Sequence, residues 1–283
     1  MGMQINTNLA ANNTYRNLAA TQNDMSKSLE KLSSGLRINR AADDAAGLAI
    51  SEGLKSQVGG LTVASRNAQD AISVIQTAEG SLNEVTSILQ RVRDLAVQAG
   101  NDSNSADSRA AIATEVTALG KELTRISEST NFNGTKLLNT AAATTDLSFQ
   151  IGAGSSATAD QITVKLTDVS AIATIVSGLA AAGFATAGAT VGVAGTIDTL
   201  DTQIKAVSTS RASLGADQNR FESVIKNLAV SKENLSAAGS RIRDTDMAEE
   251  MVKYTRSSIL SQAGTAMLAQ ANQSNQGVLQ LLR

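Results

Sequence analysis

At 283 residues the chain is long enough for one large domain or two small ones, with a real core. Its 24 basic and 26 acidic side chains leave a net charge of -2, which gives no electrostatic case for nucleic acid or an anionic membrane as partner. It holds no Cys, His, Pro or Trp, so disulfides, thiol nucleophiles, thiolate metal sites and imidazole bases are excluded.

Carboxylates alone suffice for glycoside hydrolysis, so composition weighs against an enzyme without closing the question. We read the chain as a non-enzyme with no cofactor and no metal. Only four Phe and two Tyr are available for burial. Ala, Leu, Ser, Thr, Asn and Gln carry the chain instead, which suits long helices in close contact. The opening MGMQINTNLAANNTY lacks the cationic start and apolar run of a secretory signal.

The first predicted element is a heptad seam. Tyr15, Leu18, Gln22, Met25, Leu29, Leu32 and Leu36 step by three and four, which puts them on one stripe of a helix facing a partner helix. Gly35 and RINRAADDAAG (37–47) interrupt it, and Asp43 and Asp44 suit a helix start. A second helix carries Ala68, Ile72, Ile75, Ala78, Leu82, Val85, Leu89, Val92 and Ala96, and stops at Gly100 and NDSNS. A third carries Ile112, Val116, Leu119, Leu123 and Ile126 and ends before NFNGTKLL (131–138), where Asn133-Gly134 signals a turn.

LSFQIG (147–152) and QITVKL (161–166) alternate like strands and pair as a candidate hairpin across GAGSSATAD. The charge-free stretch 171–197 is long enough to span a bilayer. It has few strongly apolar residues and no flanking Lys/Arg clusters, so we expect a surface subdomain of helix, loop and strand and no membrane span. From Leu200 to Ile242 the longest seam alternates four and three through Val207, Arg211, Leu214, Gln218, Phe221, Leu228 and Lys232. It predicts one helix of roughly 65 Å at about 1.5 Å per residue. Asp246 and Glu249 then form a candidate capping box opening a last helix.

Residues 1–15 and 257–282 contain no Asp, Glu, Lys or Arg. Charge is expensive to bury and amides are not, provided they find partners. The expected fold is therefore mainly α: a long antiparallel helical coiled-coil bundle from both termini, with a small β-hairpin-containing middle segment. The closing GVLQLLR finds too little cover within one copy. Other copies would cover it through a heterologous interface, which makes helical filaments when the rotation does not close.

Seven stretches carry a resemblance to a known family. They are INTNLAA (5–11), LEKLSSGLRINRAADDAAGLAI (29–50), SRNAQDAISVIQTAEGSLNEV (65–85), LQRVRDLAVQAGN (89–101), NFNGTKLL (131–138), SRIRDTDMAEEM (240–251) and QAGTAMLAQANQ (262–273). In order and spacing the sequence resembles bacterial flagellin, the filament subunit of the flagellum used for swimming. The resemblance implies an inner filament layer from 1–43 and 244–283, an outer layer of long helices from 44–140 and 198–243, and a small tip at 141–197. It implies terminal helices that are disordered in the free monomer and fold on assembly into a homopolymer.

The resemblance also implies partners: the flagellar export apparatus and its chaperone, the filament cap, and the hook–filament junction proteins. The expected location is extracellular, in the flagellar filament. The alternative within the family is the hook–filament junction protein itself. The N-terminal assembly seam would be Tyr15, Leu18, Met25, Leu29, Leu32 and Leu36. The C-terminal assembly helix would use Ile259, Met267, Leu268, Val278, Leu279 and Leu282. In relatives the stretch at 89–101 is read by the vertebrate innate flagellin receptor, and the matching positions are Gln90, Arg91, Leu95 and Gln98, with Glu115. Assembly contacts alone would also account for these residues. Some relatives insert a His-dependent protease, which a chain without His cannot carry.

Overall fold

The computed structural model describes residues 8–144, 146–183 and 190–281. Seven helices and four short strands follow in the order α1 (Leu9–Ser34), α2 (Ala45–Ala99), α3 (Ala106–Ser129), β1 (Asn131–Phe132), β2 (Thr135–Lys136), α4 (Thr140–Thr144), β3 (Leu147–Gln150), β4 (Gln161–Val164), α5 (Val169–Gly183), α6 (Thr190–Arg243) and α7 (Met247–Leu281) among the described residues. Two compact units divide the chain: residues 59–232 form one, and residues 1–58 with 233–283 form the other.

The 59–232 unit holds the apolar core. The stripe from Ala68 to Ala96 of α2 is buried, including Ile75, Leu82 and Leu89 with no exposed surface. Ile112, Val116 and Leu123 of α3 join it, as do Leu200, Val207, Leu214 and Phe221 of α6. All these positions recur at three- and four-residue steps, so one face of each helix is dry. The α2–α6 contact is fringed by ion pairs, Arg93 with Asp201 at 2.6 Å and Arg211 with Glu79 at 3.7 Å. Such exposed pairs contribute less than about 1 kcal/mol each, so the core carries this contact.

The α6 seam runs on from Leu228 through Leu235, Gly239 and Ile242, all half-buried, and departs only at Lys232, which is exposed while Ser231 beside it is half-buried.

Asn133 (φ 48°) and Gly134 (φ 84°) form the tight turn between β1 and β2, both in the left-handed region that a two-residue hairpin requires. The following Leu137 and Leu138 are fully buried. β3 and β4 pair antiparallel, with Leu147 opposite Val164 and Phe149 opposite Ile162. Phe149 meets Phe221 of α6 edge-on, with centroids 5.8 Å apart.

The charge-free stretch differs from the mixed subdomain expected of it. It forms most of α5, which starts at Val169, and the start of α6, and among the described residues no strand follows β4. Ile172, Ala173, Val176 and Ala180 bury one face of α5 in the common core. The described part of 141–197 thus shares the core of the 59–232 unit. An uncharged Ala-rich helix costs little to bury, and that decides its place. Asp168 caps α5, its Oδ1 accepting from the N–H of Ser170 (2.9 Å) and of Ala171 (3.2 Å). Burial pushes this carboxyl up, but bonds from Ser170, Ala171 and Thr140 together outweigh it and hold the group below its usual range. Among the described residues no helix is long and apolar enough to cross a membrane.

Candidate functional site

The terminal helices make the candidate site. α1 starts at an Asn8 cap, whose side chain accepts from the Ala11 N–H at 3.0 Å and donates to the Ala271 carbonyl at 2.9 Å. α1 ends at Gly35, in the left-handed conformation (φ 72°). Two backbone bonds stitch the far end: Arg37 N–H to the Arg243 carbonyl (2.7 Å) and Thr245 N–H to the Gly35 carbonyl (3.1 Å). With residue 8 beside 271 and residue 36 bridged to 244, α1 and α7 run antiparallel.

The inward row of α1 is Ala11, Thr14, Leu18, Thr21, Met25, Ser28 and Leu32. The inward row of α7 is Glu250, Tyr254, Ser257, Ser261, Gly264, Leu268 and Ala271. Both keep a heptad rhythm, but small side chains fill most positions. Contact is close at Gly264, where a Cβ would stand 3.2 Å from Leu18 Cδ1.

The N-terminal seam expected from sequence therefore splits. Leu18, Met25 and Leu32 are half-buried in the inward row, whereas Tyr15 (64% exposed), Gln22 and Leu29 (55%) stand on the flank. Leu36 lies beyond the helix, in the bridge to Asp244. Thr14, Thr21 and Ser28 take the inward places because small residues let the two backbones approach, and the bulkier neighbours turn outward. Both rows have the same period and share three residues, so hydrophobicity alone favours the flank that turns away from α7.

On α7, Leu268 is half-buried in the inward row, while Ile259 (61%) and Met267 (63%) are exposed. The backbone of Val278 and Leu279 continues α7, but their side chains, and Leu282 entirely, lie outside the described residues. Met251, Val252, Ile259 and Leu260 of α7 are all more than half exposed, and Leu260 also borders Leu18 and Thr21 of α1. With Ala248, Thr255 and Arg256 these four α7 side chains line an open apolar groove of about 590 Å³.

Charge gathers at the stitched end. Asp43 accepts from the N–H groups of Arg40 (2.9 Å) and Asn39 (3.1 Å), and these bonds hold its carboxyl below the usual range. Asp44 caps α2 through the Gly47 N–H at 2.8 Å. Asp246 caps α7 through the N–H groups of Ala248 and Glu249. The reciprocal half of the expected box gives way to an ion pair, as the Glu249 carboxylate meets Lys253 at 2.8 Å.

The second predicted patch lies on α2 and α3. Arg91 donates through Nε (2.9 Å) and Nη2 (2.7 Å) to Glu115 Oε1, and Gln90 and Gln98 are exposed beside it. Leu95 is only 2% exposed and belongs to the core with Val92, Ala96 and Ala99. Position 95 falls on the buried stripe of α2, so it is not part of this surface. Val97, 52% exposed, is the apolar residue there that sequence reading missed. Its spacing from Gln90 and Asp94 was the available signal.

Family models match both ends of the chain. Residues 5–143 match the bacterial flagellin N-terminal helical region, and residues 197–282 match the bacterial flagellin C-terminal helical region. The chain belongs to the bacterial flagellin family. A flagellin of Halalkalibacterium halodurans is 52% identical over 281 residues, covering 99% of this chain and all of the relative. A flagellin of Bacillus subtilis is 49% identical over 307 residues with the same coverage. The flagellar filament 33 kDa core protein of Treponema phagedenis is 46% identical over 290 residues, again covering 99% and 100%. The flagellin models take in α1 to α3, the β1–β2 hairpin, most of α6 and α7, and leave β3, β4 and α5 between them. None of these relatives is named as a junction protein.

Proposed function

We propose that this flagellin is the repeating subunit of a flagellar filament used for swimming, and that other copies cover the outer flank of its α1–α7 pair. The observation that carries this reading is the distribution of exposed large apolar side chains. Leu9, Tyr15, Leu29, Ile50, Met247, Met251, Val252, Ile259, Leu260 and Met267 belong to the terminal unit, against Val63, Val97 and Val230 in the other. Burying the exposed half of four of them contributes roughly 3–6 kcal/mol. Association costs about 4–15 kcal/mol, so one such stripe is marginal and a subunit needs several neighbours. A filament supplies several at once.

The inward rows of α1 and α7 are mostly Ala, Ser, Thr and Gly, so the pair gains little from itself. Helices that depend on tertiary burial fold when the burial arrives, which fits terminal helices that order on assembly. On this reading 1–43 and 244–283 form the inner layer and the long helices the outer one. The subunit passes through the export apparatus with a chaperone on its C-terminal helix, and joins between the cap and the junction proteins outside the cell.

Seeded growth followed by electron microscopy tests the reading, with uniform long filaments expected. Deleting residues 275–283 is expected to leave a helical, soluble monomer that does not extend seeds. Normal filaments from the truncated chain would contradict assembly through the terminal pair.

A second reading concerns the monomer. The Arg91–Glu115 pair with Gln90 and Gln98 is an exposed polar face available to the innate flagellin receptor. Arg91→Ala monomer is expected to lose at least tenfold in receptor-reporter potency, about the 1.4 kcal/mol of one charged contact. Undiminished signalling would leave these residues to assembly alone.

A further inference from the structure

We propose that Met251 and Met267 of α7, with Met247 nearby, are oxidation sites that decide whether a free subunit can join the filament. The inference rests on the self-assembly reading and adds a control to it. All six methionines (1, 3, 25, 247, 251 and 267) and both tyrosines (Tyr15 and Tyr254) fall in the terminal unit. The chain has no Cys, Trp or His. The 59–232 unit therefore contains none of the readily oxidised side chains, and the thioethers of the assembly surface are the softest targets in the molecule. Met247 is 50% exposed, Met251 53% and Met267 63%, whereas Met25 is half-buried in the α1 row. Met251 also lines the apolar groove with Val252, Ile259 and Leu260.

A flexible thioether fills an irregular apolar contact well. Hydrogen peroxide converts it by transfer of one oxygen. The sulfur lone pair attacks a peroxide oxygen, the S–O bond forms as the O–O bond breaks, and the departing hydroxide takes the remaining proton as water. Sulfur is oxidised by two electrons and peroxide is reduced by two. The product is a strong dipole where the neighbouring copy brings apolar surface, and an unpaired dipole resists burial. Subunits already in the filament are covered by their neighbours, so the chemistry acts on the unassembled pool.

The test uses full-length monomer with and without hydrogen peroxide, peptide mass spectrometry to place the sulfoxides, and seeded growth measured by pelleting. Sulfoxide is expected first at 247, 251 and 267. Growth should fall by about tenfold or more, the scale of one buried unpaired polar group. Preformed filaments given the same dose should keep these thioethers, and methionine sulfoxide reductases of both stereospecificities with dithiothreitol should restore growth to the treated monomer. In the Met251→Leu, Met267→Leu double variant, the ratio of treated to untreated growth should return towards one. Undiminished growth of oxidised wild type, a loss the reductases fail to reverse, or an equal loss in the double variant overturns the inference and leaves the assembly reading standing. Untreated wild type that never extends seeds removes the assembly reading, and this inference with it.

Discussion

Replacing Ile259 and Leu260 with Asp will stop filament growth and leave the monomer folded. Both side chains are more than half exposed, Ile259 in the apolar groove of α7 and Leu260 on the flank that also borders Leu18 and Thr21 of α1. Substitutions at such positions usually change stability by less than about 0.5 kcal/mol, so the circular dichroism and melting of the monomer should be unchanged. In the filament the same carboxylates would be buried without partners. A buried unpaired charge costs about 3–5 kcal/mol, which at 1.4 kcal/mol per tenfold is a loss of two to four orders of magnitude in subunit affinity. The critical concentration for seeded growth is the measurement. A value within threefold of wild type would mean that this face of α7 is not an interface.

Phe221→Ala will cost the most stability of any single truncation considered. The ring is fully buried on α6 and meets Phe149 of β3 edge-on at 88°. Large-to-small changes at such a site cost about 3–5 kcal/mol from lost transfer energy and the cavity left behind. For a unit of residues 59–232 that corresponds to a fall in Tm of very roughly 6–20 °C. Because the ring joins the β3–β4 hairpin to the helical core, amide exchange should quicken in the hairpin and in α2 and α6 together. Exchange that quickened only in β3 and β4 would instead mark the hairpin as an independent tip.

The helices of the 59–232 unit were legible because their stripes are large and aliphatic. Val85, Leu89 and Val92 can only face inward, and so can Leu214 and Phe221. The hairpins were legible from alternation in QITV and from Asn133-Gly134. The orientation of α1 was not. Its two candidate rows share Leu18, Met25 and Leu32 and differ in whether Tyr15, Gln22 and Leu29 or Thr14, Thr21 and Ser28 face the partner. A hydrophobic count favours the first choice, and backbone approach favours the second.

At the candidate receptor face the motif did not reveal that Leu95 is buried in the single chain. Leu95 sits within a motif whose neighbours Gln90, Arg91 and Gln98 are all exposed. A linear motif does not say which of its residues lie on the dry side of the helix, and the 3.6-residue period puts 95 with 92 and 99.

By itself the sequence determined the family, the helical class, the positions of most turns and caps, and the absence of thiol and imidazole chemistry, since each of these depends on local pattern or on composition. Tertiary structure alone decided which face of α1 and α7 is inward and that α5 joins the main core. The first depends on how closely two backbones approach, a distance set by small side chains on both partners at once, and the second on the low cost of burying an uncharged helix.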